Sequence, residues 1–506
     1  MPRTAIGAAV RADSGLPAPE AGEPPEPSPG GKLASQVAHR IENDIIRLAW
    51  PIGTVLGSEQ DLREKYGVSR SVLREAVRLA EHHQVARMRR GPNGGLLVCA
   101  PDAAPATRAL VIYLEYIGTT VNDLMDARLL LEPLAARLAA ATITEDGIEQ
   151  LRHTLDDETE RRNEPGTFAQ DMLHVLLGEL SGNSALHLFI DVLARLSARY
   201  AHTTRRISKE EAARGKADAH ARHVAIADAV IAGDTGKAES ATAAHLEGVK
   251  EWLLSHQPRR RGRRGAAPAR QPEEPGAKLA EVIAGRIRDE IARRGWPIGQ
   301  VLGSEADLLA RHGVSRAALR EAVRLLEYHS VALMRRGPGG GLVVTEPDPS
   351  ASIETMALYL DYRGVTSEDL RVVREAVELG ALAQVIARRQ EPEVAARLEA
   401  AIAQGEASAS VQDENHVPGP SGSDRFHTEL GDLSGNPVLG LFLRILTALW
   451  TRHRISSPTA AQPGAEGAVE AANIHRRILE ALLAGDEGLA RHRMRRHLEA
   501  LTAWYH

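Results

Sequence analysis

The sequence predicts a mainly α-helical protein that contains two small helical domains, each with a β-hairpin, and two larger all-α helical bundles. Three observations support this prediction. The chain has 506 residues, which exceeds the usual domain size of about 100–200 residues. Aromatic residues make up only 3%, and abundant Ala, Leu and Arg favour helices that pack through small aliphatic side chains. The third observation is an internal repeat, which divides the chain into two similar halves.

The repeat is plainest in the small domains. WPIGTVLGSEQDL at Trp50 returns at Trp296 as WPIGQVLGSEADL, and GVSRSVLREAVRL at Gly67 returns at Gly313, both 246 residues later. The larger domains repeat more weakly. HVLLGELSGN at His174 returns at His427, now 253 residues later. The change of offset indicates an insertion in the second copy, which we assign to the polar, Gly/Pro-rich residues 408–423.

Composition supplies the expected boundaries. Residues 1–31 are rich in Pro, Gly, Ala and Glu, which predicts a disordered tail. The Pro/Gly-rich residues 257–276 include six arginines and predict a basic linker. The predicted domains are residues 32–102 and 277–348 for the small units and residues 107–256 and 352–506 for the bundles.

Several classes of protein are excluded. The single cysteine, Cys99, excludes a disulfide scaffold and a cysteine-based zinc ribbon. No run of about 18 apolar residues occurs, so no membrane span is expected. The beginning of the sequence lacks a signal-peptide core, and we expect a soluble cytoplasmic protein. The net charge of −5 is uninformative, but residues 32–102 hold 11 basic and 8 acidic residues.

The first small domain shows a pattern of three helices and a hairpin. Leu33, Val37, Ile41 and Ile45 predict a helix over Lys32–Ala49, which Pro51 and Gly53 end. Ser58 with Asp61 resembles a helix cap and starts a short helix that ends at Gly67. Ser69 caps the next helix, on which Leu73, Val77 and Ala80 face inward and Arg70, Arg74 and Arg78 form a stripe. Arg87–Val98 then predicts a hairpin, the wing.

A helix, a short turn with glycine and a basic helix form the helix-turn-helix pattern. An arginine stripe can contact guanine edges and phosphates in the major groove. Ser69 and Ser71 can bind phosphate near the start of the helix. The alternative is a solvated basic face on a structural helix. The ordered set of motifs, present twice, favours binding of double-stranded DNA.

These motifs resemble the GntR family of bacterial transcription regulators, in its FadR-type branch. The resemblance rests on L-G-S-E-x-D-L, G-V-S-R-x-x-L-R-E-A-V and the Gly-rich wing in both copies. It implies that a winged helix-turn-helix reads operator DNA through Ser69, Arg70, Ser71, Arg74, Arg89, Arg90 and Gly91, and in the second copy through Ser315, Arg316, Arg320, Arg335, Arg336 and Gly337. Two departures exist. Gln60 and Ala306 replace a basic residue that is frequent in the family, and Ala317 replaces Ser71.

The larger domains each carry a set of potential metal ligands. Asp171 and His174 lie three residues apart on one helical face, and His223 and His245 fall on later helices. The second copy repeats the set as Asp424, His427, His475 and His497. Imidazoles and a carboxylate that converge inside a helical bundle can hold a divalent ion of the zinc, nickel or manganese class. The alternative is that these histidines are ordinary core or surface residues. His39, His82, His153, His187, His202 and His220 are expected not to be ligands.

The larger domains resemble the FCD ligand-binding domain. The resemblance rests on R-x-x-x-E at Arg128 and Arg374, H-x6-S-G-N at His174 and His427, and H-x9-G-D-x10-H at His223 and His475. It implies an all-helical bundle that binds a metal and a small organic acid. The family usually places its acidic ligand four residues before the first histidine, whereas Asp171 and Asp424 stand one residue closer. Arg128 and Arg374 are candidates to bind an effector carboxylate; a surface salt bridge with Glu132 or Glu378 is the alternative.

Together these features predict a transcription repressor, not an enzyme, that responds to a small-molecule effector. The family binds palindromic operators as two-fold dimers, and here one chain could supply both halves as an intramolecular pseudo-dimer, with further homo-oligomers possible. A metal-dependent hydrolase with accessory DNA-binding domains is the alternative. A third possibility is a second half that serves only as a dimerisation scaffold.

Overall fold

The computed structural model describes residues 29–91, 94–161, 172–201, 208–256, 279–337, 339–409, 422–456 and 465–503. Within these residues it contains twenty helices and four strands, in two repeats of the same order. The protein is mainly α-helical, with a two-stranded antiparallel hairpin in each half, as the sequence predicted. The predicted basic linker and residues 1–28 of the predicted tail lie outside the described residues.

The first winged unit comprises α1 (Pro29–Arg47), α2 (Glu59–Tyr66), α3 (Arg70–His82), β1 (Ala86–Arg89) and β2 (Gly95–Val98). Its local structure follows from the capping residues. Ser58 and Asp61 form a reciprocal capping box, and Gly67 ends α2 with a φ of 66°. The Ser69 side chain caps α3. The first helix begins at Pro29, three residues before the predicted start.

The hairpin packs against the turn that precedes α2. Gly95 has a φ of 155°, and a Cβ at this position would lie 2.3 Å from the Gly57 carbonyl oxygen. Glycine therefore allows the second strand to approach the chain at Gly57, whose carbonyl accepts a hydrogen bond from the Leu96 amide. This contact fixes the wing against the helix-turn-helix.

The second winged unit repeats this structure with α11 (Leu279–Arg293), α12 (Glu305–His312), α13 (Arg316–Tyr328), β3 (Ala332–Arg335) and β4 (Gly341–Val344). Ser304 and Asp307 form its capping box, and Ser315 caps α13. The hairpin register is also conserved, because Ala332 pairs with Val344 as Ala86 pairs with Val98.

Seven helices form each bundle. The first contains α4 (Ala103–Tyr116), α5 (Val121–Thr142), α6 (Glu145–Arg161), α7 (Met172–Leu180), α8 (Ser184–Ala201), α9 (Lys209–Ile231) and α10 (Thr235–Ser255). The second contains α14 (Ser350–Tyr362), α15 (Ser367–Ala387), α16 (Pro392–Ala409), α17 (Gly422–Leu433), α18 (Pro437–Ser456), α19 (Ala465–Ala484) and α20 (Glu487–Ala503). Gly182 and Asn183 lie between α7 and α8, and Gly233 and Asp234 lie between α9 and α10.

The two bundles share one hydrophobic core. Phe189 of α8 stacks on Phe442 of α18, with ring centroids 4.0 Å apart. The side-chain amide of Asn183 donates to the Asp369 carbonyl, and Asn436 donates in the same way to the Asp123 carbonyl. These reciprocal bonds relate the two halves by an approximate two-fold arrangement within one chain.

The winged units are exchanged between the two bundles. Leu358 of the second bundle is buried in the core of the first winged unit, and Ile112 of the first bundle is buried in the core of the second. Trp50 donates a hydrogen bond to Asp361, and Trp296 packs edge-on against Tyr116. Each winged unit therefore packs against the bundle of the other repeat, an exchange that the repeat itself does not reveal.

The two winged units also touch each other. The Tyr328 hydroxyl, at the end of α13, donates to the carbonyl of His82 at the end of α3, and its ring packs 4.6 Å from the His82 ring. The carboxyl ends of the two basic helices are therefore in direct contact.

Among the helices of the described ranges, none is long and apolar enough to cross a membrane.

Candidate functional site: a paired basic surface and two buried histidine clusters

The basic helix of the first winged unit presents polar side chains to solvent. Ser69, Arg70, Ser71 and Arg74 are all exposed, whereas Leu73, Val77 and Ala80 are buried, as the pattern predicted. The Arg70 guanidinium donates to Glu59 at 2.5 Å, and the Ser69 and Ser71 hydroxyls lie 3.0 Å apart. The chain thus holds two hydroxyls and two guanidinium groups at the amino-terminal end of α3, a surface suited to phosphates and base edges.

The second winged unit offers a similar surface with different details. Ser315, Arg316 and Arg320 are exposed, and Arg320 lies 3.7 Å from Glu305. The corresponding acid of the first unit, Glu59, contacts Arg70 instead. On the wings, the exposed residues at the hairpin approach are Arg89, Arg90, Gly91, Arg335, Arg336 and Gly337.

Three buried histidines converge in the first bundle. His174 of α7, His223 of α9 and His245 of α10 each offer one ring nitrogen within 4.8 Å of the others. The Nε2 atoms of His223 and His245 lie 3.2 Å apart. The second bundle repeats the cluster with His427, His475 and His497. There, His497 Nε2 lies 3.2 Å from His427 Nε2 and 3.0 Å from His475 Nε2.

The acidic ligand proposed beside each cluster stays a prediction. Asp424 is buried one turn before His427 and accepts a hydrogen bond from Thr451. The ligand atoms that converge in the second bundle belong to His427, His475 and His497. Asp171 lies outside the described residues.

Glutamate carboxylates lie beside the Nδ1 atoms of three of these histidines. In the second bundle Glu378 lies 2.6 Å from His427 Nδ1. In the first, Glu158 lies 2.6 Å from His223 Nδ1, and Glu132 lies 2.8 Å from His174 Nδ1. A carboxylate at Nδ1 keeps the proton on that nitrogen and leaves the Nε2 lone pair free for a ligand. This carboxylate–imidazole arrangement is characteristic of metal-binding histidines.

The electrostatics of the second cluster favour neutral rings at His475 and His497 and an ionised carboxylate at Glu378. Burial alone would raise the pKa of Glu378, but His427 and Arg374 outweigh burial and lower that pKa to about 2. Burial, assisted by His427, lowers the pKa of His497 to about 3, and burial lowers the pKa of His475 well below its usual value. Neutral imidazoles are the form that coordinates a metal.

Arg128 and Arg374 form buried ion pairs, unlike the surface salt bridge that was the alternative to effector binding. Both side chains are 2% exposed, and each guanidinium donates to the glutamate one turn later, Glu132 or Glu378, at 2.5 Å. They are buried because helices α5 and α15 lie in the shared core. Each glutamate joins an arginine to a histidine of the cluster.

Sequence reasoning missed two features of these sites. Glu132 and Glu378 were recognised only as partners of arginine, although each also contacts a cluster histidine. Glu158 was not singled out, although a glutamate on the inward face of α6 was a signal that pattern alone could have given. The capping residues of the helices and the spacing of the three histidines were the sequence features that best predicted the residues of these sites.

Comparison with known proteins places these features in a family. The model of the FCD domain matches residues 123–248 and 369–500, which together make up about half of the chain. The model described as bacterial regulatory proteins, gntR family, matches residues 33–93 and 279–344. This chain belongs to the GntR family. It is a GntR regulator in which the DNA-binding domain and the FCD effector domain each occur twice.

Individual proteins resemble one half of this chain. HTH-type transcriptional regulator LutR of Bacillus subtilis is 31% identical over 211 residues, which cover 40% of this GntR chain and 93% of LutR. The Uxu operon regulator of Haemophilus influenzae is 27% identical, covering 44% of this chain and 81% of the relative. The structure of a Streptococcus agalactiae GntR protein is 23% identical, covers 43% of this chain and 99% of that one, and has a TM-score of 0.31.

The matches to these two curated relatives therefore each cover less than half of this chain, which is about the length of one repeat. The matched domains and relatives are transcription regulators, as the sequence predicted, and none of them supports the hydrolase alternative.

Proposed function

We propose that this GntR regulator is a cytoplasmic repressor in which one chain binds both halves of an operator. The observation that carries the proposal is the direct contact between the two basic helices, through Tyr328 and His82, within a single chain. Two recognition helices joined in this way can present their arginines to two successive turns of one major-groove face. The contact residues proposed for DNA are those of the two exposed basic surfaces described above.

We further propose that each FCD bundle holds a divalent metal ion. The residues fit such an ion, because the donor set consists of three buried imidazoles in each bundle and carboxylates orient the Nδ1 sides. His174, His223 and His245 would hold one ion, and His427, His475 and His497 would hold the other. The metal would supply a Lewis-acidic point of attachment for an oxygen of an anionic effector.

The proposed effector is a small organic acid. Arg128 and Arg374 each pair with a glutamate that also contacts a cluster histidine. The carboxylate of an effector that bound near either arginine would therefore meet a positive charge inside the bundle. Effector binding would act on DNA binding through the exchanged packing, since each bundle contributes a side chain to the core of a winged unit. A ligand that binds one arrangement of the winged units better than another shifts their populations.

The experiment is operator selection followed by binding measurements. Random duplexes are selected on the full-length protein, and affinity for the selected sequence is measured by fluorescence anisotropy at several salt concentrations. We expect binding that weakens steeply with salt, because arginines displace counterions from phosphates. A reporter promoter that carries the selected operator should be repressed. Failure to select any sequence would contradict the proposal, and activation of the promoter would contradict the repressor role.

A further inference from the structure

We propose that the two FCD sites of this chain have diverged, so that the second bundle binds the organic acid through Arg374 while the first bundle holds its metal without binding acid. This inference rests on the proposed function, since it assigns the effector to one of the two proposed sites. Its support lies in three positions at which the structure shows different side chains in equivalent places.

The first position determines whether every nitrogen of the buried guanidinium has a hydrogen-bond acceptor. In the first bundle Arg128 donates to Glu132 through two nitrogens, and its third nitrogen, Nη1, donates to the Ser197 hydroxyl at 3.1 Å. All three guanidinium nitrogens therefore have acceptors in the protein. An arginine in this state offers little to an incoming carboxylate, which would have to displace an existing hydrogen bond.

In the second bundle Trp450 occupies the place of Ser197. The indole lies 5.3 Å from the Arg374 guanidinium carbon and cannot accept a conventional hydrogen bond. Arg374 Nε donates to Glu378, but the buried Nη1 and Nη2 have no hydrogen-bond partner among the residues that the structure describes. Buried unpaired donors on a charged group are unfavourable and rare in proteins, and a bidentate carboxylate is the acceptor that matches their geometry.

The unpaired nitrogens belong to the same site as the histidine cluster. Arg374 Nε donates to one oxygen of Glu378, and the other oxygen of Glu378 lies 2.6 Å from His427 Nδ1, so one carboxylate joins the guanidinium to the cluster. An acid whose carboxylate bound Arg374 would therefore lie next to a metal held by these histidines.

The second and third positions concern the surroundings of the histidines. In the first bundle Glu158 contacts His223, and Leu173 precedes His174. When α6 and α16 are aligned on buried Leu151 and Leu398, Gly405 takes the place of Glu158. Phe426 takes the place of Leu173 and stacks on His475, with centroids 4.3 Å apart.

These exchanges leave the two clusters with different net charge. The first bundle has two carboxylates at its histidines, Glu132 and Glu158, against one arginine, Arg128. In the second, among the described residues, the carboxylate that contacts a cluster histidine is that of Glu378, which pairs with Arg374. The extra negative charge in the first cluster disfavours an anionic ligand, whereas the second cluster lacks that repulsion.

The test uses full-length protein with one metal site at a time. His223→Ala leaves the second cluster and His475→Ala leaves the first, and each variant is loaded with cobalt(II), whose visible spectrum reports its ligands. Acetate and glycolate, the smallest carboxylates without and with a chelating hydroxyl, are then titrated. We expect the cobalt spectrum of His223→Ala protein to change on addition of glycolate, with at least tenfold tighter binding than in His475→Ala protein.

Two further variants test the arginine directly. Arg374→Gln in the His223→Ala protein should retain cobalt but lose the response to glycolate. Ser197→Ala in the His475→Ala protein removes the acceptor for Arg128 and should create or strengthen a response in the first cluster. Circular dichroism checks that every variant is folded.

The outcomes distinguish the two proposals. Equal responses in both single-site proteins, or a response confined to the first cluster, would overturn the divergence while leaving the acid-binding function in place. A response in neither cobalt-loaded protein would overturn both. Failure of either cluster to bind cobalt would contradict the metal assignment, and with it the inference.

Discussion

At the scale of single residues, the glutamates at the histidine clusters have the largest consequences. Glu378 is fully buried between the Arg374 guanidinium and His427 Nδ1, and Glu132 has the equivalent place in the first bundle. Each therefore balances the charge of a buried arginine and orients a ring that faces the proposed metal. Removing such a partner affects both neighbours at once.

We predict that Glu378→Gln weakens metal binding at the second cluster by about 10- to 100-fold, because loss of the carboxylate releases the orientation of His427. The measurement is zinc competition with a fluorescent chelator, in protein whose first cluster has been removed by His223→Ala. Glu399→Gln, an exposed glutamate on α16, is the matched control and should leave affinity unchanged. Unchanged affinity in Glu378→Gln would contradict the role assigned to this residue.

A second prediction concerns His329 in the second winged unit. Burial, with the charges of Arg108 and Arg288, lowers its pKa from 6.5 to about 3. The unfolded state therefore binds a proton below pH 6.5 that the folded state does not bind, and stability falls as the pH falls from 6.5 towards 3. The loss amounts to about 2 kcal/mol of unfolding free energy between pH 6.5 and 5.

His329→Gln should remove this part of the pH dependence in urea unfolding measured at pH 7 and pH 5. His153→Gln is the control, since the His153 side chain is 79% exposed. An unaltered pH dependence in the His329 variant would show that this side chain is protonated in the folded protein.

At the scale of elements, α3 and α13 carry the proposed DNA contacts. Arg74→Ala and Arg320→Ala should each weaken operator binding by about 1–3 kcal/mol if the guanidinium binds guanine with two hydrogen bonds. The salt dependence of binding should also become shallower in the double variant. Arg152→Ala, which removes an exposed arginine from α6, is the matched control. Full operator affinity in a folded Arg74→Ala, Arg320→Ala protein would refute the assignment of these helices.

Helix α18 connects the second FCD site to the first winged unit through three consecutive residues. Trp450 lies over Arg374, Thr451 donates to Asp424, and Arg452 donates to Glu42 of α1 at 3.1 Å. Arg452 also pairs with Glu354, and it is 6% exposed. The equivalents of Glu42 and Glu354 in the other half are Arg288 and Arg108, so the two interfaces between winged unit and bundle differ in charge.

Arg452→Met should therefore destabilise the protein by about 3 kcal/mol, because the buried Glu42 loses its guanidinium partner and keeps only the imidazoles of His39 and His83. Urea unfolding measures the effect, and Glu42→Gln added to Arg452→Met should restore much of it. Arg444, which is also on α18, forms a half-exposed ion pair with Asp432 of α17. Arg444→Met, which breaks this pair, should cost no more than about 1 kcal/mol. Equal effects of Arg452→Met and Arg444→Met would rule out a special role for the buried pair.

The elements that sequence predicted best are those with local signals. Ser58, Ser69 and Gly67 specify helix ends through their own backbone hydrogen bonds and dihedral angles, so α2 and α3 were placed closely. The three histidines of each cluster could be grouped because equivalent histidines occur in both halves of the sequence. Helix α4 was harder: it starts at Ala103, before the predicted bundle boundary, since it packs on both a bundle and a winged unit.

Features that depend on distant packing could not be predicted. The burial of Arg128 and Arg374 follows from the shared core of α5, α8, α15 and α18, not from any local pattern. The same is true of the exchange of winged units, since Leu358 and Ile112 resemble any other apolar residue on a helix. Spacing along one helix does not determine whether Asp424 is a ligand, since its contacts depend on packing against α18, where Thr451 donates to its carboxylate.

At the scale of the whole molecule, fusion of two copies permits asymmetry. In a two-fold dimer of identical chains, both recognition helices and both effector sites must be the same. Here the proposed recognition helices differ at Ser71 and Ala317, and the proposed effector sites differ at Ser197 and Trp450. One chain can therefore combine unequal half-sites with a single sensing bundle, provided that it acts on DNA without a second chain.

The number of chains on one operator tests this account most directly. Light scattering or native mass spectrometry of the complex with the selected duplex measures it, given a chain mass of 54.6 kDa. The account predicts one chain per operator, with footprints over two half-sites and a different tolerance to substitution in each. Two chains per operator, each protecting one half-site through one winged unit, would contradict it.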